Sequence, residues 1–233
     1  MKHSLYILGA LVFAAAAGCK KDNYTAPSSM LTGHLLYKTD TIQVERSQVP
    51  YQIYQYGFGK VGPLPQTAFA QDGSYSAVLS DGTYKIIVPN GQGPFMWKQT
   101  AAGNPDTVTV ALKGNQTVDF QVTPYYMIRN ASITISGGTV SATCKLEKII
   151  TDANAKDVER VSLYINKDQF VSGGDNIAKK DLAAADITDM NNISLSVAVP
   201  SITPAQNYVY ARIGLKIAGL EDMIFSPLQK ISF

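Results

Sequence analysis

The chain has 233 residues, with 20 Lys and Arg set against 18 Asp and Glu, for a formal net charge of +2. That balance, with no basic block or stripe, excludes the phosphate-neutralising footprint that nucleic-acid binding needs. Two cysteines and two histidines are too few for a disulfide framework or a multi-histidine metal site, while the length suffices for one or two domains with proper cores.

The N-terminus reads as an export signal. Lys2 and His3 form a short basic head, and Leu5 to Ala17 is apolar apart from Gly9 and the hydroxyl of Tyr6. That run falls short of the roughly 20 apolar residues a bilayer span requires. Its length and flank fit a signal-peptide core, placing a signal at 1–18. The segment ends Ala16-Ala17-Gly18-Cys19, small residues before a cysteine. This resembles a bacterial lipobox, with Ala16 where leucine is usual. The resemblance implies cleavage before Cys19 and lipidation of Cys19, and so a membrane partner through a lipid anchor; several acyl chains hold firmly at roughly 0.8 kcal/mol per buried methylene. The alternative is a plain secretory signal. Lys20-Lys21-Asp22-Asn23 is similar to the short charged export signals of Bacteroidetes surface lipoproteins, which implies an outer-membrane location at the cell surface, the periplasmic face being the alternative. Residues 19–29 then read as a tether, polar and carrying Pro27 and two serines.

Beyond the tether, strands and turns dominate, so the predicted class is all-β, with two consecutive β-sandwiches over 30–125 and 126–233. In the first block, strands are predicted at 31–36, 49–56, 74–79, 83–88, 107–112 and 117–122. Their apolar residues alternate, as in Tyr84, Ile86 and Val88, or Val118, Phe120 and Val122. Asp72-Gly73, Asp81-Gly82 and Gly114-Asn115 supply the turns. Pro124 resists a central ladder and suggests the boundary. In the second block Ile133 and Ile135 lead to Gly137-Gly138, a two-residue hairpin signal. Val140, Ala142, Cys144 and Leu146 then share a face, followed by strands at 161–165, 193–199, 208–217 and 228–233. Only 178–189, with loosely spaced Ile177, Leu182, Ala185 and Ile187, has a helical reading.

Asp72-Gly73-Ser74-Tyr75, Leu79 and Asp81-Gly82-Thr83-Tyr84-Lys85-Ile86 carry a resemblance to a hairpin of carboxypeptidase-regulatory, or transthyretin-like, β-sandwiches. In the whole chain, Gly93-Pro94-Phe95, Asp119 to Tyr125, Tyr208 to Arg212 and Phe225 to Leu228 make residues 30–233 similar to an uncharacterised two-domain Bacteroidetes lipoprotein family. That resemblance implies a transthyretin-like domain followed by an immunoglobulin- or fibronectin-like one. It also implies association with a starch-utilisation-type outer-membrane glycan uptake complex. It brings no catalytic residues.

Chemistry-bearing constellations are sparse, and no cofactor or metal is implied. With His3 in the signal, His34 stands alone and has no companion motif for a triad. Cys144 falls on an apolar face, as an inert buried thiol would. Asp152-Ala153-Asn154-Ala155-Lys156-Asp157 begins like a calcium loop but lacks the glycine, and Leu163 stands where the bidentate acid belongs, so it reads as a solvated turn. Paired acids for glycoside hydrolysis are not marked by sequence spacing.

Aromatic residues are the better lead, because sugar rings stack on flat faces. Trp97, the one tryptophan, lies with Phe95 in the long 89–106 loop, and Tyr54, Tyr56 and Phe58 form a second cluster. Trp97, Phe95, Tyr54 and Tyr56 are thus the candidate ligand residues; the bland reading has them cover sandwich ends or pack between domains. Asp40-Thr41-Ile42 and Asp106-Thr107-Val108 resemble a short O-glycosylation acceptor. The resulting expectation is a non-enzymatic surface lipoprotein that binds glycan or acts as a scaffold in an uptake system. A structural or adhesion module for a protein partner is the alternative, and a hydrolase has less support.

Overall fold

The computed structural model describes residues 26–55, 62–64 and 67–233. The predicted signal, Cys19, Tyr56 and Phe58 therefore lie outside the described residues. Those described are almost entirely strand and turn, as expected.

The N-terminal half places β1 (Ser29–Tyr37) at the centre of one sheet. It pairs antiparallel with β2 (Asp40–Thr41) and β4 (Ser74–Leu79), and parallel with β8 (Gln116–Thr117) and β9 (Phe120–Gln121). A second sheet runs β3 (Gln52–Gln55), β5 (Gly82–Ile87) and β7 (Val108–Leu112). The alternating apolar residues of both sheets, among them Leu31, Leu35, Ile53, Tyr84, Ile86 and Val110, are buried between them. Two readings change here. The 74–86 stretch is not a hairpin: β4 pairs with β1 and β5 pairs with β3 and β7, so Asp81-Gly82 carries the chain from one sheet to the other. Asp81 fastens that crossing, accepting from Ser29 Oγ at 2.5 Å and from the Gly114 amide at 3.0 Å. The predicted 117–122 strand is split, because Asp119 turns aside to accept the His34 amide at 2.9 Å.

In the C-terminal half, β11 (Tyr126–Ser136), β12 (Thr139–Lys148) and β15 (Ile193–Ala198) form one antiparallel sheet. Gly137 and Gly138 take φ of 55° and 74°, the left-handed pair that a tight hairpin between twisted strands requires. The facing sheet holds β13 (Val158–Asn166), β14 (Ala178–Ala183), β16 (Tyr208–Ile217), β17 (Met223–Phe225) and β18 (Gln229–Ser232). Val140, Ala142, Cys144 and Leu146 are buried, as their alternation predicts. The helical reading of 178–189 is corrected: β14 pairs with β13 along its length, and only Ala184–Asp186 forms a 3-10 turn. Residues four apart share a face in a strand as well as in a helix. The edge of β13, with Ser162 Oγ donating to Asp181 at 2.6 Å, decides for the strand.

The two halves are fused along the outer face of β16. Tyr164, Val171, Met223 and Phe225 form a small apolar cluster there. Gly214 makes room for it, since a Cβ would lie 2.8 Å from the Phe225 ring and 3.0 Å from Tyr164. The Phe225 amide donates to the Gln43 carbonyl at 3.0 Å, and Arg129 reaches Asp40 at 2.5 Å and Glu147 at 2.6 Å. Arg212 is buried at the same junction. Its guanidinium lies 3.7 Å from the Phe225 ring centre and donates to the carbonyls of Val171 and Val44.

Candidate functional site

The 89–106 segment is more ordered than a loop without strand pattern. It contains β6 (Phe95–Met96), which pairs with β10 (Thr123–Pro124), and a turn closed by a bridge between Gln99 and Pro105. Gly93 has φ of +80° and the Phe95 ring folds over it, closer than any Cβ would allow. Phe95 is 4% exposed and Trp97 8%. The Trp97 indole donates to the Asp106 carbonyl at 2.7 Å and meets Phe120 edge-on, with centroids 5.6 Å apart. Neither ring is a free stacking face; pairing through β6 turns both into the core. Tyr54 is half-buried on β3, where its hydroxyl donates to Gln52 at 2.7 Å. It does not line the groove described next.

What Trp97 does is underlie a groove. On one side is a depression of about 600 Å³ where the two halves meet, lined from the N-terminal half by Met96 to Gln99 and Gln121 to Thr123, and from the C-terminal half by Ile149 to Asp152. On the other is a depression of about 280 Å³ that includes Asp106, Thr107 and Asp119. Trp97, Lys98 and Gln121 line both, so the two depressions adjoin.

The polar lining comes from a strand rule. From 119 to 123 the residues alternate exposed and buried, with Phe120 and Val122 inward and Asp119, Gln121 and Thr123 outward. At about 3.3 Å per residue this row is about 13 Å long, longer than one sugar ring. Two amides in the groove are held in place. Gln99 donates to Asn90 Oδ1 at 3.1 Å, and Asn90 is itself anchored on the Gly103 carbonyl at 2.8 Å. Gln121 donates to the Lys38 carbonyl at 3.1 Å. Each contact uses one N–H and leaves the other N–H and the amide oxygen for a ligand. Lys98 pairs with Asp106 at 2.9 Å, and that pairing, with the Thr107 amide, holds the Asp106 carboxyl below the usual carboxylate range.

The remaining candidates do not assemble into catalytic machinery. His34 Nδ1 lies 3.8 Å from Asp119, and Asp152 caps its own turn through the Asn154 amide at 2.8 Å. Cys144 is buried in the C-terminal core, and burial pushes its thiol up to about 12. Among the described residues, no three His, Cys, Asp or Glu side chains are grouped to hold a metal ion. Sequence reasoning missed Gln99, Gln121, Thr123 and Thr151. The signal for two of them was present, because Phe120 and Val122 facing inward sends Gln121 and Thr123 outward.

Comparison with known proteins matches both halves to one family. Residues 29–123 match the N-terminal domain of a protein of unknown function (DUF3823), and residues 126–230 match the companion domain of unknown function, DUF3823_C. A DUF3823 family protein of Parabacteroides merdae is 30% identical, with a TM-score of 0.76 over 89% of this chain and 100% of its own. One from Bacteroides ovatus is 26% identical, with a TM-score of 0.72 over 88% and 99%. A Bacteroides uniformis structure named as a putative carbohydrate binding protein shares the fold at 17% identity, with a TM-score of 0.66 over 89% of this chain and 100% of its own. The comparison with curated proteins finds no match. Two matched domains and a relative at 30% identity along its full length place this chain in the DUF3823 family.

Proposed function

We propose that the protein is a non-catalytic glycan-binding lipoprotein, anchored through Cys19 at the outer-membrane surface and serving an outer-membrane glycan uptake system. The observation that carries the binding role is the groove over Trp97. It offers the pre-positioned amides of Gln99 and Gln121 and the hydroxyls of Thr123 and Thr151, which suit a polyhydroxylated ligand. The name of the Bacteroides uniformis relative supports the same direction. The anchor rests on the Ala16-Ala17-Gly18-Cys19 segment and the surface location on Lys20-Lys21-Asp22-Asn23. The transthyretin-like character of the first domain and the uptake-system link rest on the resemblances carried by the 72–86 and 93–228 stretches.

The test is a polysaccharide array on the full-length protein in detergent, with the double variant Gln99→Ala/Gln121→Ala as control. Binding to at least one glycan, reduced at least about tenfold in the double variant with an unchanged melting temperature, supports the reading. Failure to bind any glycan overturns it. Labelled palmitate, incorporated by the wild type and not by Cys19→Ser, tests the anchor separately.

The protein-docking alternative has a smaller basis. Met30 and Val78 are cross-strand neighbours, 43% and 58% exposed. Two side chains fall short of the contiguous patch that marks a docking surface.

A further inference from the structure

We infer that the groove selects uncharged glycans and rejects those carrying carboxylate or sulfate groups. This rests on the glycan-binding reading above and deepens it. The charged residues lining the two depressions are Lys98, Asp106, Asp119 and Asp152, one cation against three acids. The one cation already faces an acid: Lys98 Nζ lies 2.9 Å from Asp106. Asp119 and Asp152 are exposed, with His34 as the nearest counter-group of Asp119 at 3.8 Å. An acidic sugar would meet more carboxylates than the single lysine can offset.

The held amides point the same way. Gln99 and Gln121 each keep one N–H and one carbonyl oxygen in reserve, a donor and an acceptor side by side. Sugar hydroxyls both donate and accept, so each reserved pair can be satisfied by a neutral diol; a carboxylate or sulfate only accepts and can engage only the donor of each pair. The chain does hold a cation free of any acid among the described residues, Arg46, but its guanidinium stacks 3.9 Å over Phe170 and lines another pocket, with Ser47, Ser74 and Ser76. Neutral selection is thus a property of the Trp97 groove, not of the whole surface.

The experiment uses matched pairs: each neutral polysaccharide that binds on the array is compared with its own carboxymethylated form, titrated into the full-length protein in detergent. The expected result is affinity for the neutral form that does not change with salt. Carboxymethylation should weaken binding by about tenfold or more at low ionic strength, with part of the loss recovered at high salt, where charges beyond a few ångströms are screened. In Asp119→Asn/Asp152→Asn the ratio of neutral to carboxymethylated affinity should shrink, because two of the three acids facing the ligand are neutralised. Equal or tighter binding of the carboxymethylated form overturns the selectivity and leaves the glycan-binding role standing. No binding of either form overturns both.

Discussion

Arg212 on β16 donates from Nη1 to the main-chain carbonyl of Val44, 168 residues away, at 3.1 Å. A second bond from the same nitrogen reaches the Gln71 carbonyl at 3.4 Å, and Nε donates to Val171. Burial lowers the guanidinium pKa to about 10, with Glu45 and Tyr164 opposing the fall. The charge is held by carbonyl dipoles and by the Phe225 ring. Arg212→Ala removes these bonds and opens a void in the junction. With hydrogen bonds to charged groups worth about 1.5–3 kcal/mol each, a loss of about 3 kcal/mol is expected. Urea unfolding followed by Trp97 fluorescence, which reports the N-terminal half, and by far-UV circular dichroism, which reports both, checks it. The variant should also unfold its two halves separately; a single transition at the wild-type midpoint would refute the role given to Arg212.

Asp222 fastens the junction from the other end, accepting the Gly93 amide at 2.6 Å. Burial raises its pKa above the ordinary carboxylate value. Glu221 and Glu45 raise it further, while the Gly93 amide and Lys216 oppose the rise. The native state therefore binds this proton more tightly than the unfolded chain does. Stability from this group is present at low pH and falls as pH climbs from the unfolded carboxylate value, about 3.9, through the raised one. Asp222→Asn keeps an oxygen for the Gly93 amide and cannot ionise. Its stability should be flatter across that window and higher above it, read from melting temperatures at stepped pH.

These junction residues also show where sequence reading stops. The β12 face and the Gly137-Gly138 turn were legible because both are set by neighbours within a few residues: a period of two, and a backbone conformation glycine adopts without strain. Arg212 was not. Its partners are main-chain carbonyls, which every residue carries, so no residue type marks them. For Phe95 and Trp97 the sequence leaves ligand contact and packing both open, because a ladder of only two residues, β6 with β10, has too little length to show a period. The apolar row 118–120–122 was legible, and its outward face, which supplies half the polar lining of the groove, follows from it. The opposite wall, from the C-terminal half at 149–152, depends on how two domains meet, and local pattern does not encode that.

Gly33 tests the packing of β1 against its parallel neighbours. A Cβ there would lie 2.0 Å from the Val118 carbonyl oxygen and 2.8 Å from the Tyr75 ring, and Tyr75 itself donates to that oxygen at 2.7 Å. Backbone cannot yield as a flexible side chain does. Gly33→Ala should therefore exceed the 1–3 kcal/mol typical of overpacking, by forcing β8 and β9 off β1. Gly174→Ala, whose Cβ would have no neighbour closer than 4.0 Å, is the control. The expected result is a soluble control and a destabilised or insoluble Gly33 variant; equal melting temperatures would show that β1 can shift to accept the methyl.

Trp97 decides how any binding experiment is read. Its ring is buried against Phe120, and its N–H is used on Asp106. Removing a buried tryptophan costs about 3–5 kcal/mol, so Trp97→Ala should lose structure along with any ligand affinity. Trp97→Phe keeps most of the apolar volume and loses only the bond to the Asp106 carbonyl, a penalty of about 1 kcal/mol. If the indole supports the groove without touching ligand, the phenylalanine variant should bind glycan within about threefold of wild type despite its lower melting temperature. If the ring itself stacks on sugar, affinity should fall well beyond that, because the smaller ring would sit below the groove floor. Titrating both variants below their melting temperatures separates a supporting ring from a contacting one.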